Sequence, residues 1–235
     1  MNTQRKTRIL VIEDESPIRN GLQDVFIFHG FEVDCAEDGP AGLRKAQGGT
    51  FDLILLDLML PGMDGFEVCN RIREQDRHQP IIMLTAKTAD EDIIQGLTLG
   101  ADDYIAKPFS VTQLVLRVKA VLRRSGIGQT DHALIVLSDE LEIDTRNLSG
   151  RRGKREITFT RREIDILQYL NQNSERPVPR EELLHKIWGY AKNLNIETRT
   201  VDIHIAKLRR KIEPAPAEPR YLITVRGAGY RLIRG

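Results

Sequence analysis

The sequence predicts two domains: a doubly wound α/β unit on a five-stranded parallel sheet, then a smaller α+β unit. Three observations predict this. Five apolar runs, at residues 8–12, 31–36, 51–56, 80–84 and 103–106, alternate with helical patterns, the rhythm of a parallel sheet with helices on both faces. Residues 123–133 then break the periodicity with a Ser/Gly/polar stretch that suits a flexible linker. The net charge of +1 is also unevenly divided. Residues 1–124 carry 15 Lys+Arg and 19 Asp+Glu, net −4, and residues 125–235 carry 20 and 15, net +5. The expected boundaries are 1–124, a linker at 125–133, and 134–235; the basic half suggests nucleic acid as a partner, although a charge of +5 alone suits an ordinary surface equally well.

Composition narrows the class. With 40% hydrophobic and 29% charged residues, the chain reads as an ordinary soluble protein. No apolar stretch approaches the roughly 20 residues of a membrane span, and residues 1–8 carry no signal-peptide core. Cys35 and Cys69 form neither a disulfide framework nor a metal set. Reduced thiols in a cytoplasmic protein are expected.

In the first unit each run delivers a polar group to a strand end, where such sheets bind ligands. The first leads to Glu13, Asp14 and Glu15. Ser16 is expected to cap the helix that follows, with Pro17 in its first turn. The third run ends in Asp57 and breaks into a turn at Pro61-Gly62. The fourth leads to Thr85, Gly100 closes the fourth helix, and the fifth run leads to Lys107. Any one of these groups also suits a helix cap or a turn; four agreeing strand ends point to phosphoryl chemistry. Asp57 is a carboxylate nucleophile able to form an acyl phosphate. Glu13 and Asp14 with Asp57 concentrate negative charge and ask for a divalent cation, for which magnesium fits. Lys107 offers a positive charge to a phosphate oxygen, and Thr85 a hydroxyl donor.

Four segments carry a family resemblance: Ile12-Glu13-Asp14-Glu15, the run from Leu56-Asp57-Leu58-Met59 to Asp64-Gly65, Leu84-Thr85-Ala86, and the run from Gly100-Ala101 to Lys107-Pro108-Phe109. Residues 6–124 resemble the receiver domain of bacterial response regulators, a flavodoxin-like fold. The resemblance implies that Asp57 accepts a phosphoryl group from a phosphohistidine on a sensor kinase. It implies magnesium held by Asp14, Asp57 and the backbone carbonyl of Met59, with Glu13 helping through water. It also implies a switch pair, Thr85 and Tyr104, and a cis Lys107–Pro108 peptide.

In the second unit, short strands are expected at 134–137, 141–144, 147–149 and 155–159. Thr160-Arg161-Arg162-Glu163 is a capping box opening a helix to about residue 171. Further helices are expected at 180–188 and 197–212. The last carries Val201, Ile205, Leu208 and Ile212 on one stripe, with Arg199, Ile203, Ala206, Lys207 and Arg210 opposite. An amphipathic basic helix suits either a solvated surface or a major groove. The tail from Tyr221 to Leu232 reads as two strands around Gly227-Ala228-Gly229, with Arg226 at the tip, where it can enter a minor groove. Three helices and such a hairpin make a winged helix-turn-helix.

Residues 141–232 resemble the DNA-binding domain of OmpR/PhoB-class response regulators. The marks include Arg180-Glu181-Glu182-Leu183-Leu184, Trp188-Gly189-Tyr190, the run from Arg199-Thr200-Val201-Asp202 to Ile205, and Thr224-Val225-Arg226-Gly227. The resemblance implies contacts to double-stranded promoter DNA from Arg199, Thr200, His204, Lys207 and Arg209, with Arg226 at the minor groove. Residues 189–198 would meet RNA polymerase, although their wording departs from the usual acidic-aromatic one.

The same class dimerises on phosphorylation through its fourth helix, fifth strand and fifth helix. Candidate charge pairs are Asp103 with Arg117 and Glu91 with Arg124. Ile93 and Gln113 stand where a basic and an acidic residue are usual, so both members of that pair are neutral together. The function expected is a phosphorylation-controlled transcription factor, not a metabolic enzyme. An aspartyl-phosphate phosphatase is the enzyme rival; such enzymes commonly carry a second Asp where this chain has Met59, and the basic half would have no task in it. A receiver that works without phosphate is a third reading, against which Asp14, Asp57, Thr85 and Lys107 all speak.

Overall fold

The computed structural model describes residues 5–85, 99–124, 134–188 and 199–234. The chain forms two compact units, Met1–Ile127 and Gly128–Gly235.

The first unit holds five parallel strands, β1 (Arg8–Ile12), β2 (Glu32–Ala36), β3 (Leu53–Asp57), β4 (Ile81–Thr85) and β5 (Asp103–Ala106), in the order β2-β1-β3-β4-β5. The chain starts in β1, runs outward to β2, and crosses back to β3. The topological switch therefore lies between β1 and β3, whose carboxyl ends open a crevice. Every residue of β3 and β4 is buried, as the uninterrupted apolar runs of central strands demand. The edge strand β5 alternates. Ile9, Val11, Phe26, Leu53, Leu55 and Ile82 belong to the core on one face of this sheet.

The helices are α1 (Ser16–Phe28), α2 (Gly39–Gly48), α3 (Gly65–Gln75) and α4 (Val111–Arg124). The expected cap at Ser16 is corrected. Glu15 occupies the N-cap position without a side-chain hydrogen bond, and Ser16 is already helical. The later helices do carry caps: Asp38 accepts from Ala41 N at 2.6 Å and Asp64 from Glu67 N at 2.8 Å. The helix expected between β4 and β5 lies outside the described residues.

The second unit opens with an antiparallel meander, β6 (Leu134–Ser138), β7 (Leu141–Asp144), β8 (Ser149–Arg152) and β9 (Arg155–Thr158), in that spatial order. The strand expected at 147–149 starts at Ser149 instead. Asp144 Oδ1 accepts from Arg146 N (2.9 Å) and Asn147 N (3.0 Å), and this local turn takes up residues that composition alone allows in a strand. Next comes α5 (Arg161–Gln172), opened by a complete Thr160/Glu163 capping box. The expected helix at 180–188 is α6 (Arg180–Leu183) running into a π-helical turn, Leu184–Trp188. Arg162 of α5 donates to the carbonyl of Ile187 in that widened turn. The helix α7 (Arg199–Ile212) precedes the antiparallel hairpin β10 (Leu222–Val225) and β11 (Gly229–Leu232). Trp188, Phe159, Ile164, Leu167, Val201 and Leu208 are buried in its core.

Candidate functional site

Register builds the first site. Ile12 pairs with Leu56, Asp57 with Leu84, and Thr85 with Ala106. The residues that end these strands, Glu13, Asp57, Thr85 and Lys107, are thereby brought to one edge of the sheet. Asp57 is 2% exposed. Its Oδ2 lies 2.8 Å from Lys107 Nζ, and its Oδ1 accepts from Met59 N at 3.2 Å. Lys107 Nζ also donates to Glu13 Oε1 at 2.9 Å and stands 3.7 Å from Glu15 Oε1. Glu13 Oε2 is 2.8 Å from the same ammonium, but it is buried and receives no directed hydrogen bond among the described residues.

One cation thus faces several carboxylates. Burial pushes Glu13 up to about 7, with Asp57 adding to the rise and Lys107 opposing it. Burial pulls the Lys107 ammonium down, but Asp57 and Glu13 outweigh it and hold the group above its ordinary value. Glu13, Asp14 and Asp57 each offer an oxygen, and these lie within 4.8 Å of one another. An all-oxygen set with Asp14 open to solvent and an undirected buried oxygen on Glu13 fits a hard divalent cation. Thr85 is fully buried at the end of β4, where its carbonyl accepts from Lys107 N at 2.6 Å. Tyr104 is half-buried on β5, paired in register with Met83. The Lys107–Pro108 peptide is cis.

The second site is the surface of α7 and its hairpin. Arg226 is exposed in the turn between β10 and β11. Ala206 and Arg210, one turn apart, are exposed on α7. The contacts expected of His204 and Lys207 with DNA are corrected, because both side chains face inward. His204 is fully buried edge-on to Trp188, with ring centroids 5.3 Å apart. Burial, and then the charges of Lys207, Arg162 and Lys211, hold it well below its ordinary value. Lys207 Nζ lies 3.1 Å from Glu163 Oε1, and Lys211 Nζ 2.7 Å from Oε2. Burial raises Glu163, but these two cations outweigh it and keep the carboxyl below its usual range. Thr200 is buried as well. Arg209 is occupied within the unit, donating to Leu222 O and Thr224 Oγ1, both at 2.8 Å.

Sequence reasoning missed the second task of Glu163. Its capping box is local, whereas Lys211 is 48 residues away, and no local pattern signals such a pair. It also missed Arg180, Asp202 and Tyr230, which meet across three segments. On the expected dimer face, Asp103 and Arg117 pair within the chain at 3.3 Å. Gln113 is exposed. Glu91, Ile93, the loop 189–198 and the side chains of Arg124 and Arg199 lie outside the described residues.

Comparison with known proteins fits this geometry. Residues 9–119 match the family described as response regulator receiver domain, and residues 154–232 the family described as transcriptional regulatory protein, C terminal. The sensory transduction protein RegX3 of Mycobacterium tuberculosis H37Rv is 41% identical over 96% of this chain and 99% of its own. The chain belongs to the OmpR/PhoB class of response regulators. Solved structures agree. A mutant of RitR aligns with a TM-score of 0.72 at 31% identity, over 97% of this chain and all of that one. The response regulator DrrB, an OmpR/PhoB homologue of Thermotoga maritima, aligns at 0.52 and 30% identity over the same shares. As a response regulator of this class, the chain regulates transcription in a phosphorylation-dependent manner within a two-component system. Among the described residues no helix is long and apolar enough to cross a membrane.

Proposed function

We propose that Asp57 is the phosphoryl acceptor and that its phosphorylation drives dimerisation and promoter binding in the cytoplasm. One observation carries the reading: a nearly buried Asp57 at the switch point of the sheet, held by Lys107 on one oxygen and Met59 N–H on the other. A carboxylate oxygen of Asp57 attacks the phosphorus of a sensor kinase's phosphohistidine. The P–O bond forms, the P–N bond breaks, and the imidazole leaves with the electron pair. Magnesium, held by Asp14, Asp57 and the Met59 carbonyl with Glu13 behind them, would neutralise charge between the anionic nucleophile and the anionic phosphoryl group. Lys107, shared between Asp57 and Glu13 beforehand, then serves the added phosphate charge. Its backbone N–H is bonded to Thr85 O, so a shift of Lys107 is felt at the end of β4. Thr85 and Tyr104 are the proposed readout of that shift. The step is a signalling modification and not metabolic turnover.

On the DNA side, Arg226 enters the minor groove. The exposed Ala206 and Arg210 mark the major-groove face of α7, on which helical spacing also puts position 199, with phosphates neutralised by the basic residues. His204 and Lys207 act from inside the domain. Dimerisation uses the face that includes Gln113, and residues 189–198 are the candidate meeting point with RNA polymerase.

The test is labelling by acetyl phosphate with magnesium. Wild-type chain should take up one phosphoryl group and Asp57→Ala none. Full labelling of Asp57→Ala would move the acceptor elsewhere.

A further inference from the structure

We infer that Arg180, Asp202 and Tyr230 form a clamp that fixes the β10–β11 wing against α7 and so sets where Arg226 stands. The inference rests on the reading of α7 and the wing as DNA-binding elements. Tyr230 OH donates to Asp202 Oδ1 at 2.5 Å, Arg180 Nε donates to the same oxygen at 2.6 Å, and Arg180 Nη2 donates to Tyr230 OH at 2.9 Å. The Arg180 guanidinium also lies 4.7 Å from the centre of the Tyr230 ring. Three segments meet here: the start of α6, the first turn of α7, and β11.

The other wing strand is tied by Arg209 of α7, whose guanidinium also lies 5.8 Å from the centre of the Tyr230 ring. Arg209 holds Leu222 O and Thr224 Oγ1 of β10. Asp202 and Arg209 are seven residues apart, about two helical turns, so they share one face of α7. That face is turned to the wing and holds both of its strands. Next to the turn, the start of β11 is pinned by backbone: Val178 N donates to Tyr230 O at 2.7 Å and Tyr230 N to Val178 O at 2.9 Å. A Cβ on Gly229 would stand 2.0 Å from Val178 O, at φ +122°, so no side chain is tolerated at that approach. Pinned beside the turn by Val178 and held from α7 by Asp202 and Arg209, the hairpin presents its tip at one angle.

Charge sharpens the inference. A carboxylate on a basic helix that approaches phosphates weakens binding by repulsion. A half-exposed ion pair adds little stability. Asp202 thus costs affinity electrostatically and repays it only through position.

The test uses full-length chain treated with acetyl phosphate and magnesium, and a promoter fragment that this protein selects from sheared genomic DNA. Affinity at fixed salt is measured for Tyr230→Phe, Asp202→Asn, Arg226→Ala and the doubles, with thermal unfolding to show that each is folded. Arg226→Ala should weaken binding about tenfold. Tyr230→Phe, which keeps the ring and loses only the hydroxyl, should weaken it about fivefold, and Asp202→Asn likewise. Added to Arg226→Ala, either should cost less than about twofold more, because a misplaced Arg226 has little left to lose. Additive losses, or tighter binding by Asp202→Asn, overturn the clamp alone, and Tyr230→Phe decides if Asp202→Asn does not fold. An Arg226→Ala variant that binds normally overturns the reading of the wing, and the clamp with it.

Discussion

Lys107 is the residue on which the proposed acceptor site balances. It bonds both Asp57 and Glu13, which are themselves buried. Removing one member of a buried charge group leaves its partners uncompensated, at a cost of about 3 kcal/mol. Lys107→Met should therefore lower the unfolding free energy of the receiver by about that amount in chelator, read by urea titration. Added magnesium should recover part of the loss, since a ligand bound only by the folded state stabilises it. His204 supplies the pH dependence of the other unit. Its folded value is depressed, so its contribution to stability is fully present above the ordinary 6.5 and is lost as pH falls below it. Glu163 works in the same direction but only below its own ordinary 4.5, which leaves the window between pH 5 and 6.5 to the histidine. Stability should fall by about 1 kcal/mol between pH 7 and 5.5, and His204→Phe should flatten that slope. Trp188, the only tryptophan, packs on His204 and reports the transition by fluorescence. The placement of Asp57 and Lys107 at one sheet edge was legible because a strand end has one place to point. His204 and Lys207 were not, because which side of a helix is buried depends on the elements that come to cover it.

At the scale of elements, the central strands were readable from their apolar runs, whereas the start of β8 and the widened turn after α6 were not. The first hangs on two hydrogen bonds to Asp144. The second accompanies a guanidinium, from a helix earlier in the chain, that takes a carbonyl in the turn. Neither alters periodicity. The packing of α3 against β3 was likewise silent in the sequence, and it bears directly on the proposed acceptor. A Cβ on Gly65, the first residue of α3, would stand 2.2 Å from Asp57 O and 2.8 Å from Leu58 Cα. Both are backbone atoms, so relief requires the end of β3 or the start of α3 to move. Gly65→Ala should cost about 1–3 kcal/mol of receiver stability and slow acetyl-phosphate labelling of Asp57 several-fold under conditions where the chain is still folded. A variant that labels at the wild-type rate would mean that α3 shifts instead and that the acceptor geometry does not depend on this contact.

At the scale of the whole molecule, the opposed charges of the two halves separate their tasks. The net −4 of residues 1–124 belongs to the unit with the acidic cluster proposed to hold a divalent cation, and the net +5 of residues 125–235 to the unit of the DNA-binding family. Binding to DNA then scales with the number of phosphates neutralised, and the logarithm of the binding constant falls linearly with the logarithm of salt concentration. If phosphorylation joins two chains on adjacent half-sites, the number of neutralised phosphates per complex doubles. The salt slope of the acetyl-phosphate-treated protein should therefore be about twice that of the untreated one, and Asp57→Ala should keep the lower slope under both conditions. The dimer step itself should respond weakly to salt, because Ile93 and Gln113 replace an expected ion pair with two neutral residues, and removing both partners of a pair is far milder than removing one. Ile93→Arg with Gln113→Glu restores the usual charges and should make dimerisation more salt-sensitive without abolishing it, as read by sedimentation across a salt series. A slope that phosphorylation leaves unchanged would show that the modification strengthens binding of a single chain, and the dimer would drop out of the route from Asp57 to DNA.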